Sequence, residues 1–433
     1  MFTKEERGAR TVTEEERRYE EYLRRRKRRM IQRRRQVRRQ KIMLGGILLL
    51  LLIVVAISVS VRSCQSRAAE AEKQQKAADA AAQQEEENNT LHLLAVGDNY
   101  YHDAILAQGE AAGWNFDSIY ENVKDEIGQA DLAVVNQEVP LVSDPEDASG
   151  YPKFGTPLAG GEALVTAGFD VVTMATNHSY DKGSSGISDT LTFWREQHPE
   201  ITVLGIHDSQ EDQDANRVRI VEKKNFKIAM INYTSLINED AQVPDDESYA
   251  VDVYTEEAVQ KDVAAAKEQA DLVMVFLHTG VEDQNEIDDQ TQERINYLAQ
   301  QGVDIAICSH PHVLRPVSQL DRPDGGKMLV YYSLGNFVSA QKEVPQLLEG
   351  MADITLKKDA DTGEVTIQDY SLVPLVMHYE KDQTNARVYL LDDYTEELAA
   401  AHGVHDYSSD EFTLESIRQY FSTYTDTEGE STS

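Results

Sequence analysis

Twenty consecutive residues near the start of the chain, positions 42–61, carry no charged side chain and read IMLGGILLLLLIVVAISVSV. At a helical rise of about 1.5 Å per residue, a helix of this length spans about 30 Å, which is the thickness of the hydrocarbon core of a bilayer. The sequence therefore predicts a single transmembrane helix at residues 42–61, with a segment of different character on each side of it.

The charge of the chain changes sign across this helix. Residues 1–41 hold 17 Lys or Arg and 7 Glu, a net charge of +10; the whole chain carries −34, which leaves −44 for the residues that follow. Because dense basic clusters beside a membrane span stay in the cytoplasm, we expect a single pass through the cell membrane, with residues 62–433 outside the cell. A cleaved signal peptide is the alternative, but its basic region and its apolar run are both shorter than those found here.

The basic residues before the apolar segment have two interpretations. Lys- and Arg-rich runs bind nucleic acid in many proteins, but a run directly before a membrane span is placed to contact anionic lipid headgroups. The strongly acidic remainder of the chain also argues against nucleic acid. We therefore predict contact with membrane lipid and no nucleic-acid partner.

Shifts in composition divide the chain into five predicted segments. Residues 65–90 are rich in Ala, Gln, Glu and Lys and contain almost no β-branched or aromatic residue, which is typical of a solvated helical or flexible stalk. The chain becomes acidic and polar after residue 381 and ends in TDTEGESTS, so we expect its end to be disordered. The segments are a basic cytoplasmic tail (1–41), the transmembrane helix (42–61), a stalk (62–90), a folded domain (91–380) and an acidic C-terminal appendix (381–433).

The folded domain contains short apolar runs separated by segments of helix-forming composition, such as residues 255–270 and 288–301. Continuous apolar runs are typical of strands buried on both faces, and their alternation with helices predicts a layered α/β fold. Two later runs, MADITL and GEVTIQDYSLVPLV, have no helix between them, which indicates an antiparallel edge or a second sheet. The earlier runs are LHLLAVG, DLAVVN, FDVVTMA, ITVLG, KIAMINY, DLVMVFLH, VDIAICSH and MLVYYSL.

Polar side chains fall repeatedly where these predicted strands end. Ligands of such folds bind beyond the carboxyl ends of the strands, so we expect these side chains to gather at one edge. Carboxylates, amide oxygens and imidazoles together suit borderline divalent metals better than Ca²⁺ or Mg²⁺ alone. The residues are Asp98, Asn136, Glu138, Asn177, His178, His278, His310, His312, Ser333 and Asn336.

The same residues lie in an ordered series of motifs: GDNYYHD, NQEVPLV, ATNHSYDKG, LHTGVED, SHPHV and YYSLGNF. The series resembles the CapA family of capsule and poly-γ-glutamate synthesis proteins, whose domain is related to the calcineurin-like metallophosphoesterases. The resemblance covers residues 91–375, and it implies a metallophosphatase-like α-β-β-α sandwich, preceded here by the transmembrane helix and the stalk.

The resemblance also implies two divalent cations, Mn, Fe or Zn, at the strand-end cluster. Two cations about 3.5 to 4 Å apart stabilise charge on the attacking and leaving oxygens of a hydrolytic reaction. One cation would be held by Asp98 and His312, a second by Asn177, His278 and His310, and Glu138 would bridge them.

Four further residues receive roles in or near this site. By the resemblance, His178 would be the general acid, since an imidazole titrates near neutral pH. Asp181 could orient the ring of His178, or it could instead cap the following helix. Asn136 and Asn336 are candidates for substrate binding, although Asn336 could simply belong to a tight turn after a strand.

Two positions depart from the metallophosphoesterase pattern. The first motif of that superfamily is usually Asp-x-His, but Tyr100 stands at the His position, so the first metal site is short of a ligand. His102 could compensate or could be an ordinary loop histidine. Glu138 replaces an Asp at the bridging position, which lengthens the arm between the two metals. The resemblance therefore supports a metal site more strongly than a phosphatase activity.

The remaining histidines and both cysteines have simpler interpretations. Cys308 lies in an apolar run, where a thiol is usually inert packing, and Cys64 lies beside the membrane, so a disulfide between them is not expected. The other histidines show no clustering and are interpreted as structural: His92, His102, His198, His207, His378, His402 and His405.

Two classes of function fit these features. The first is a metal-dependent hydrolase outside the cytoplasm that acts on a phosphoester or a γ-glutamyl amide of a surface polymer. The second is a non-catalytic subunit that binds or guides the polymer beside other capsule synthesis subunits. A domain of this negative charge repels an anionic polymer, so binding it would require bound cations or a local positive patch.

Overall fold

The computed structural model describes residues 13–425, and the chain divides into two units between Gln84 and Glu85. The first unit consists of helix α1 (Glu14–Asn88), whose last turn extends into the second unit. Residues 1–12 of the predicted cytoplasmic tail, and residues 426–433 of the end that we expect to be disordered, lie outside the described residues.

Helix α1 contains the predicted membrane segment and the predicted stalk in one continuous element. The apolar side chains of residues 42–61 are exposed, as expected of a surface that a bilayer would cover. Among residues 13–425, α1 is the one helix long and apolar enough to cross a membrane. A signal sequence near the N-terminus would satisfy the same criterion of length and composition.

The second unit alternates helices and strands along the chain. Its α-helices are α2 (Asp103–Ala111), α3 (Asp117–Tyr120), α4 (Lys124–Gln129), α5 (Leu158–Ala167), α6 (Gly183–Gln197), α7 (Gln210–Asn216), α8 (Glu256–Lys267), α9 (Asp289–Gln301), α10 (Glu396–Ala401) and α11 (Leu414–Thr425). Its strands are β1 (Thr90–Asn99), β2 (Leu132–Gln137), β3 (Leu141–Val142), β4 (Thr156–Pro157), β5 (Val171–Thr173), β6 (Thr202–Leu204), β7 (Arg219–Lys223), β8 (Phe226–Thr234), β9 (Leu272–His278), β10 (Ile305–Ser309), β11 (Leu314–Asp321), β12 (Lys327–Leu334), β13 (Asn336–Val338), β14 (Leu348–Lys358), β15 (Val365–His378) and β16 (Arg387–Leu390).

The strands form two large sheets and one small one. The first sheet has the order β16-β15-β14-β1-β2-β5-β6, with β13 paired to the end of β1, and the second has the order β11-β12-β10-β9-β8-β7. Strands β1, β2, β5 and β6 run parallel, as do β8, β9, β10 and β12. The two late runs without a helix form β14 and β15, which extend the first sheet; β14 is antiparallel to β1, and β15 is antiparallel to β14.

Alternating side chains of the second sheet show how the layers are stacked. Ile228 and Met230 of β8 belong to the core cluster that contains the first sheet. Ala229 and Ile231, which alternate with them along the strand, belong to a second cluster with residues of α8 and α9. Successive residues of a strand face opposite sides, so one face of this sheet packs on the first sheet and the other on helices. Helices α2 to α6 supply apolar side chains to the core of the first sheet. The predicted α-β-β-α fold is confirmed.

The segment after residue 380 packs within the second unit, and the predicted domain boundary there stays a prediction. Strand β16 pairs antiparallel with β15, and Tyr394, Phe412 and Phe421 are buried in the same core as the first sheet. The acidic composition of this segment concealed its order, because its apolar residues are interspersed with acidic and polar ones.

Two histidines that the sequence placed in no cluster are buried together where this segment joins β15. The rings of His378 and His402 lie 4.9 Å apart. Nε2 of His402 donates to the carbonyl of Met377 (3.0 Å) and Nδ1 accepts from the amide of Val404 (2.9 Å), which fixes a neutral tautomer. Nδ1 of His378 contacts the hydroxyl of Tyr394 at 2.8 Å. Burial lowers the pKa of His402 to about 3 and that of His378 to about 4.

This arrangement predicts a loss of stability in acid. Both folded-state pKa values lie below the unfolded value of about 6.5, so the unfolded chain takes up protons first as the pH falls. The stabilisation is complete above pH 6.5, and each histidine costs about 2 kcal/mol of unfolding free energy between pH 7 and pH 5. Denaturant unfolding of His402→Asn at both pH values should show a smaller loss than the wild type. The exposed His405→Asn is the control, and equal losses in all three proteins would contradict the prediction.

Candidate metal centre

The predicted site residues follow parallel strands of both sheets, as the strand-end rule requires. Asp98 lies in β1, Glu138 directly follows β2, and His278 is the last residue of β9. His310 and His312 follow β10. All of them are buried, with exposed fractions of at most 4%. The two sheets therefore bring side chains from distant parts of the sequence to one edge.

Two glycines allow β1 and β13 to approach closely beside Asp98. A Cβ atom at Gly97 would lie 1.9 Å from the carbonyl oxygen of Gly335, a distance that no side chain can occupy. Gly335 has a φ of 71°, in the left-handed region that glycine adopts without strain. The amide of Asp98 donates to the carbonyl of Gly335 at 3.1 Å. The backbone of Asp98 is thus fixed by a contact that only glycine at position 97 permits.

The segment SHPHV places two histidines in an unusual backbone conformation. His310 and His312 have φ values of 99° and 59°, which are rare for residues other than glycine. Such conformations cost on the order of 1–3 kcal/mol each and are concentrated at functional sites. The amide of His310 donates to Oδ2 of Asp98 at 3.1 Å, which helps to hold this turn.

Glu138, His310 and His312 form the middle of the cluster. Their ligand atoms all lie within 4.8 Å of one another. Oε1 of Glu138 is 3.8 Å from Nε2 of His312 and 3.8 Å from Nε2 of His278. Two ligands that bind one ion at about 2.0–2.2 Å lie about 3 to 4 Å apart, so these spacings suit shared ions.

The remaining predicted ligands extend this group on both sides. Nδ1 of His312 lies 3.2 Å from Oδ2 of Asp98. Nε2 of His278 lies 2.7 Å from Oδ1 of Asn177, and Nδ1 of His278 lies 2.8 Å from the hydroxyl of Ser309. The six residues predicted to bind metal therefore form one contiguous cluster; their individual roles as ligands stay predictions.

The electrostatics of the cluster suit a divalent cation. Burial, and next the charge of Asp98, raise the pKa of Glu138 well above its usual range. Burial lowers the pKa of His310 to about 3 and lowers that of His278 well below its usual value, so both imidazoles are neutral. Burial also opposes the charging of His312, but the carboxylates of Glu138 and Asp98 raise its pKa to about 10. Neutral imidazoles beside carboxylates are the donors that Zn, Mn and Fe sites use.

Unpartnered polar atoms at the middle of the cluster test whether the donors fit a metal. Within residues 13–425, both carboxylate oxygens of Glu138 and Nδ1 of His310 are buried without a hydrogen-bond partner. Buried polar atoms are nearly always paired, and leaving a carboxylate unpaired is especially costly. A bound cation would satisfy all three atoms, so the residues fit the group that the fold implies.

His178 lies beside the cluster and has its own partners. Its Nδ1 is 2.6 Å from Oδ2 of Asp181, which also accepts from the amide of Phe154 at 2.8 Å. The ring of Phe154 packs edge-on against His178 with centroids 4.9 Å apart.

Asn238 connects His178 to the cluster, and the sequence analysis did not single it out. Its amide nitrogen lies 3.1 Å from Nδ1 of His178, and its Oδ1 accepts from the amide of Asn177 at 3.2 Å. It lies in the loop after β8, so the strand-end rule that found the other residues could also have found it. Ser309, which contacts His278, is the first residue of the motif SHPHV, but the motif did not predict a role for it.

The two candidate substrate-binding residues, Asn136 and Asn336, form hydrogen bonds with other side chains of the protein. The amide of Asn136 donates to Oδ1 of Asp98 at 2.6 Å and accepts from the hydroxyl of Thr173 at 2.8 Å. Asn336 is fully buried, and its Oδ1 lies 2.9 Å from Nδ1 of His312. These contacts hold Asp98 and His312 in place, and the substrate-binding roles of Asn136 and Asn336 stay predictions.

The structure also resolves the two interpretations of His102. Its Nδ1 accepts from the amide of Ala340 at 3.1 Å, and burial lowers its pKa to about 4. His102 thus has a structural partner and packs beside Tyr100, with ring centroids 4.9 Å apart. The hydroxyl of Tyr100 is buried without a partner within the described residues, and burial raises its pKa well above the usual range.

Two facing sheets covered by helices, with imidazoles and carboxylates at the ends of their parallel strands, define a protein of the metallophosphoesterase-like fold class. Within that class, the chain belongs to the family of bacterial capsule synthesis proteins, PGA_cap, whose family model matches residues 92–341. The CapA resemblance of the sequence motifs is therefore confirmed.

Two curated relatives carry the same family name. The PGA biosynthesis protein CapA of Bacillus subtilis (strain 168) is 26% identical over 269 residues, which span 60% of this chain and 66% of that protein. The capsule biosynthesis protein CapA of Bacillus anthracis is 25% identical over 235 residues, which span 52% of this chain and 54% of that protein. The chain therefore matches between about half and two thirds of the length of these relatives.

Solved structures similar to this chain include two nucleotidases. The NAD nucleotidase NadN of Haemophilus influenzae is 14% identical with a TM-score of 0.40, and the match covers 77% of this chain and 59% of that one. A putative 5'-nucleotidase from Staphylococcus aureus is 12% identical with a TM-score of 0.39, and the match covers 76% and 58% of the two chains.

Proposed function

We propose that this protein is a membrane-anchored, metal-dependent hydrolase that acts outside the cytoplasm in the synthesis or release of a capsule polymer such as poly-γ-glutamate. Its substrate would be a phosphoester or a γ-glutamyl amide. The observation that carries the proposal is the buried carboxylate of Glu138, which lacks any hydrogen-bond partner among residues 13–425 and is surrounded by three histidines. Such a cluster is costly unless a cation neutralises it.

By the family resemblance, six side chains would hold two cations of Mn, Fe or Zn. Asp98 and His312 would hold one, and Asn177, His278 and His310 the other, with Glu138 between them. When bound, the cations would stabilise the negative charge that develops on the attacked group and on the leaving oxygen. Neutral His278 and His310 are ready to donate lone pairs without first losing a proton.

His178 would supply the proton of the leaving group. Asp181 would accept from Nδ1, which fixes the orientation of the ring and would leave Nε2 to deliver the proton. Asp181 is itself fixed by the amide of Phe154, and the edge of that aromatic ring limits the rotation of His178. These contacts orient the imidazole without using any of its atoms as a metal ligand.

The membrane anchor would place this site at the cell surface. Residues 42–61 of α1 would span the bilayer, and the basic residues before them would contact anionic headgroups on the cytoplasmic side. The second unit would then face the polymer as it leaves the membrane, next to other subunits of capsule synthesis.

His178→Ala is expected to retain its metal and lose turnover by about 10²- to 10⁴-fold, the usual contribution of a general acid. The full chain in detergent would be stripped with a chelator and reloaded with Mn²⁺. Metal per chain would then be measured by elemental analysis, and hydrolysis with bis(p-nitrophenyl) phosphate and a γ-glutamyl oligomer. His405→Ala, an exposed histidine outside the cluster, is the matched control. A wild type that binds no metal would overturn the proposal.

A non-catalytic role in binding the polymer is the second candidate. The ring centroids of Tyr100 and His312 lie 5.3 Å apart. Burial raises the pKa of the Tyr100 hydroxyl, which keeps this group neutral, so Tyr100 adds no anionic metal ligand. Cations held there could bind polymer carboxylates in place of hydrolysing a bond. Metal-loaded wild type that hydrolyses neither substrate, together with unchanged polymer output from cells carrying His178→Ala, would favour this role.

A further inference from the structure

Glu349 of β14 is a buried carboxylate that the proposed mechanism leaves without a role. Its exposed fraction is 0%, and neither of its carboxylate oxygens has a hydrogen-bond partner within residues 13–425. Among the described residues, Glu138 is the other glutamate with both oxygens buried and unpartnered. A buried acid without a partner is rarely kept in a fold by packing alone.

The strand register places Glu349 on the part of β14 that leads toward Asp98, and Asp98 itself pairs with Asn336 of β13. Val96 of β1 pairs with Met351 of β14, so Glu349 lies two residues further toward the metal centre on the same face of its strand. At this point Gly335 enters between the two strands. A Cβ atom added to Gly335 would lie 3.6 Å from the Cα atom of Glu349. The carbonyl of Gly335 in turn accepts a hydrogen bond from the amide of Asp98.

The charges around Glu349 connect it to the same cluster. Burial, and next the charge of Asp98, raise the pKa of Glu349 well above its usual range. Besides burial, the carboxylates of Glu138, Asp98, Glu282 and Glu349 all raise the pKa of the buried Tyr100 hydroxyl. Four carboxylates therefore act on one buried region, and His312 contacts Asp98 there.

The number of metal donors near Asp98 indicates a role for the carboxylate of Glu349. The side of the cluster near Asp98 offers Asp98, His312 and a shared oxygen of Glu138, which makes three protein donors. Protein metal sites commonly use four or more donors, and carboxylates suit Mn and Fe as well as Zn. A further carboxylate on this side would complete the donor set and would itself gain the partner that it lacks.

We propose that Glu349 is part of the metal centre and supplies a carboxylate to the cation held by Asp98 and His312. The proposal rests on the metal-binding part of the proposed function and does not depend on hydrolysis. Glu349 acts from β14, an antiparallel strand outside the motifs that hold the other ligands.

The test compares Mn²⁺ binding by the full chain in detergent for the wild type and Glu349→Gln, after removal of metal with a chelator. Titration calorimetry gives the affinities, and elemental analysis gives the metal per chain. We expect two Mn²⁺ per wild-type chain and, in Glu349→Gln, a dissociation constant raised at least tenfold for one of them. Glu349→Asp keeps the charge on a shorter arm and should lose less affinity. Asp369→Asn, an exposed carboxylate on the neighbouring β15, is the matched control.

Thermal unfolding separates this role from a purely structural one. Metal-free Glu349→Gln should unfold at a higher temperature than the metal-free wild type, because the unpaired carboxylate is gone. The metal-loaded variant should show a smaller rise on loading than the loaded wild type. Two Mn²⁺ with unchanged affinities in a folded Glu349→Gln would overturn the inference and leave the proposed function intact. A wild type without metal would overturn both.

Discussion

Glu138→Gln is expected to weaken metal binding by the full chain by more than about 100-fold, because even changes outside the ligand shell typically cost 10- to 100-fold. Glu138 touches both halves of the cluster, with its Oε1 3.8 Å from His278 and 3.8 Å from His312. The amide of Gln keeps the shape of the side chain but removes the negative charge between the two proposed cations. Both sites should therefore weaken together.

The sign of the effect on stability should depend on the metal. Without metal, Glu138→Gln should be at least as stable as the wild type, since a buried carboxylate without a hydrogen-bond partner is replaced by a neutral group. With Mn²⁺, the wild type should gain more thermal stability than the variant, because ligands that bind only the folded state stabilise it. Glu196→Gln, on the exposed face of α6, is the control. Equal stabilisation of all three proteins by Mn²⁺ would contradict a metal role for Glu138.

The sequence predicted the part of the site that follows from strand ends. Asp98, Glu138 and His278 each end or directly follow an apolar run, and the runs are buried parallel strands in the structure. The carboxyl ends of such strands meet at one edge, so one-dimensional order was enough to predict a three-dimensional cluster. The same rule reaches Asn238 after β8, which the analysis overlooked.

Other features depended on contacts that no local pattern encodes. Glu349 lies in an antiparallel strand, whose ends obey no such rule, and it reaches the site only because β14 pairs with β1. A strand-end position also does not reveal that the amide of Asn136 donates to Asp98 at 2.6 Å. Similarly, the acidic composition of the segment after residue 380 does not indicate that residues such as Tyr394 and Phe421 pack in the core.

Gly97→Ala is expected to destabilise the second unit by about 3 kcal/mol or more, at the upper end of the cost of overpacking. The new Cβ would lie 1.9 Å from the carbonyl oxygen of Gly335 and 2.9 Å from its carbonyl carbon. Both are backbone atoms, so no side chain can rotate away, and β1 and β13 must separate. Denaturant unfolding of the full chain in detergent, followed by the fluorescence of Trp114 and Trp194, measures the loss.

Gly128→Ala is the matched control, because a Cβ at Gly128 in helix α4 would meet nothing within 4 Å. Alanine there should stabilise the protein by about 0.5–1 kcal/mol, since glycine costs backbone entropy inside a helix. The separation of β1 from β13 should also break the bond from the Asp98 amide to Gly335 and carry Asp98 away from His312. Gly97→Ala should therefore lose Mn²⁺ affinity even where it is still folded. A folded variant with wild-type affinity would show that the placement of Asp98 does not depend on this glycine contact.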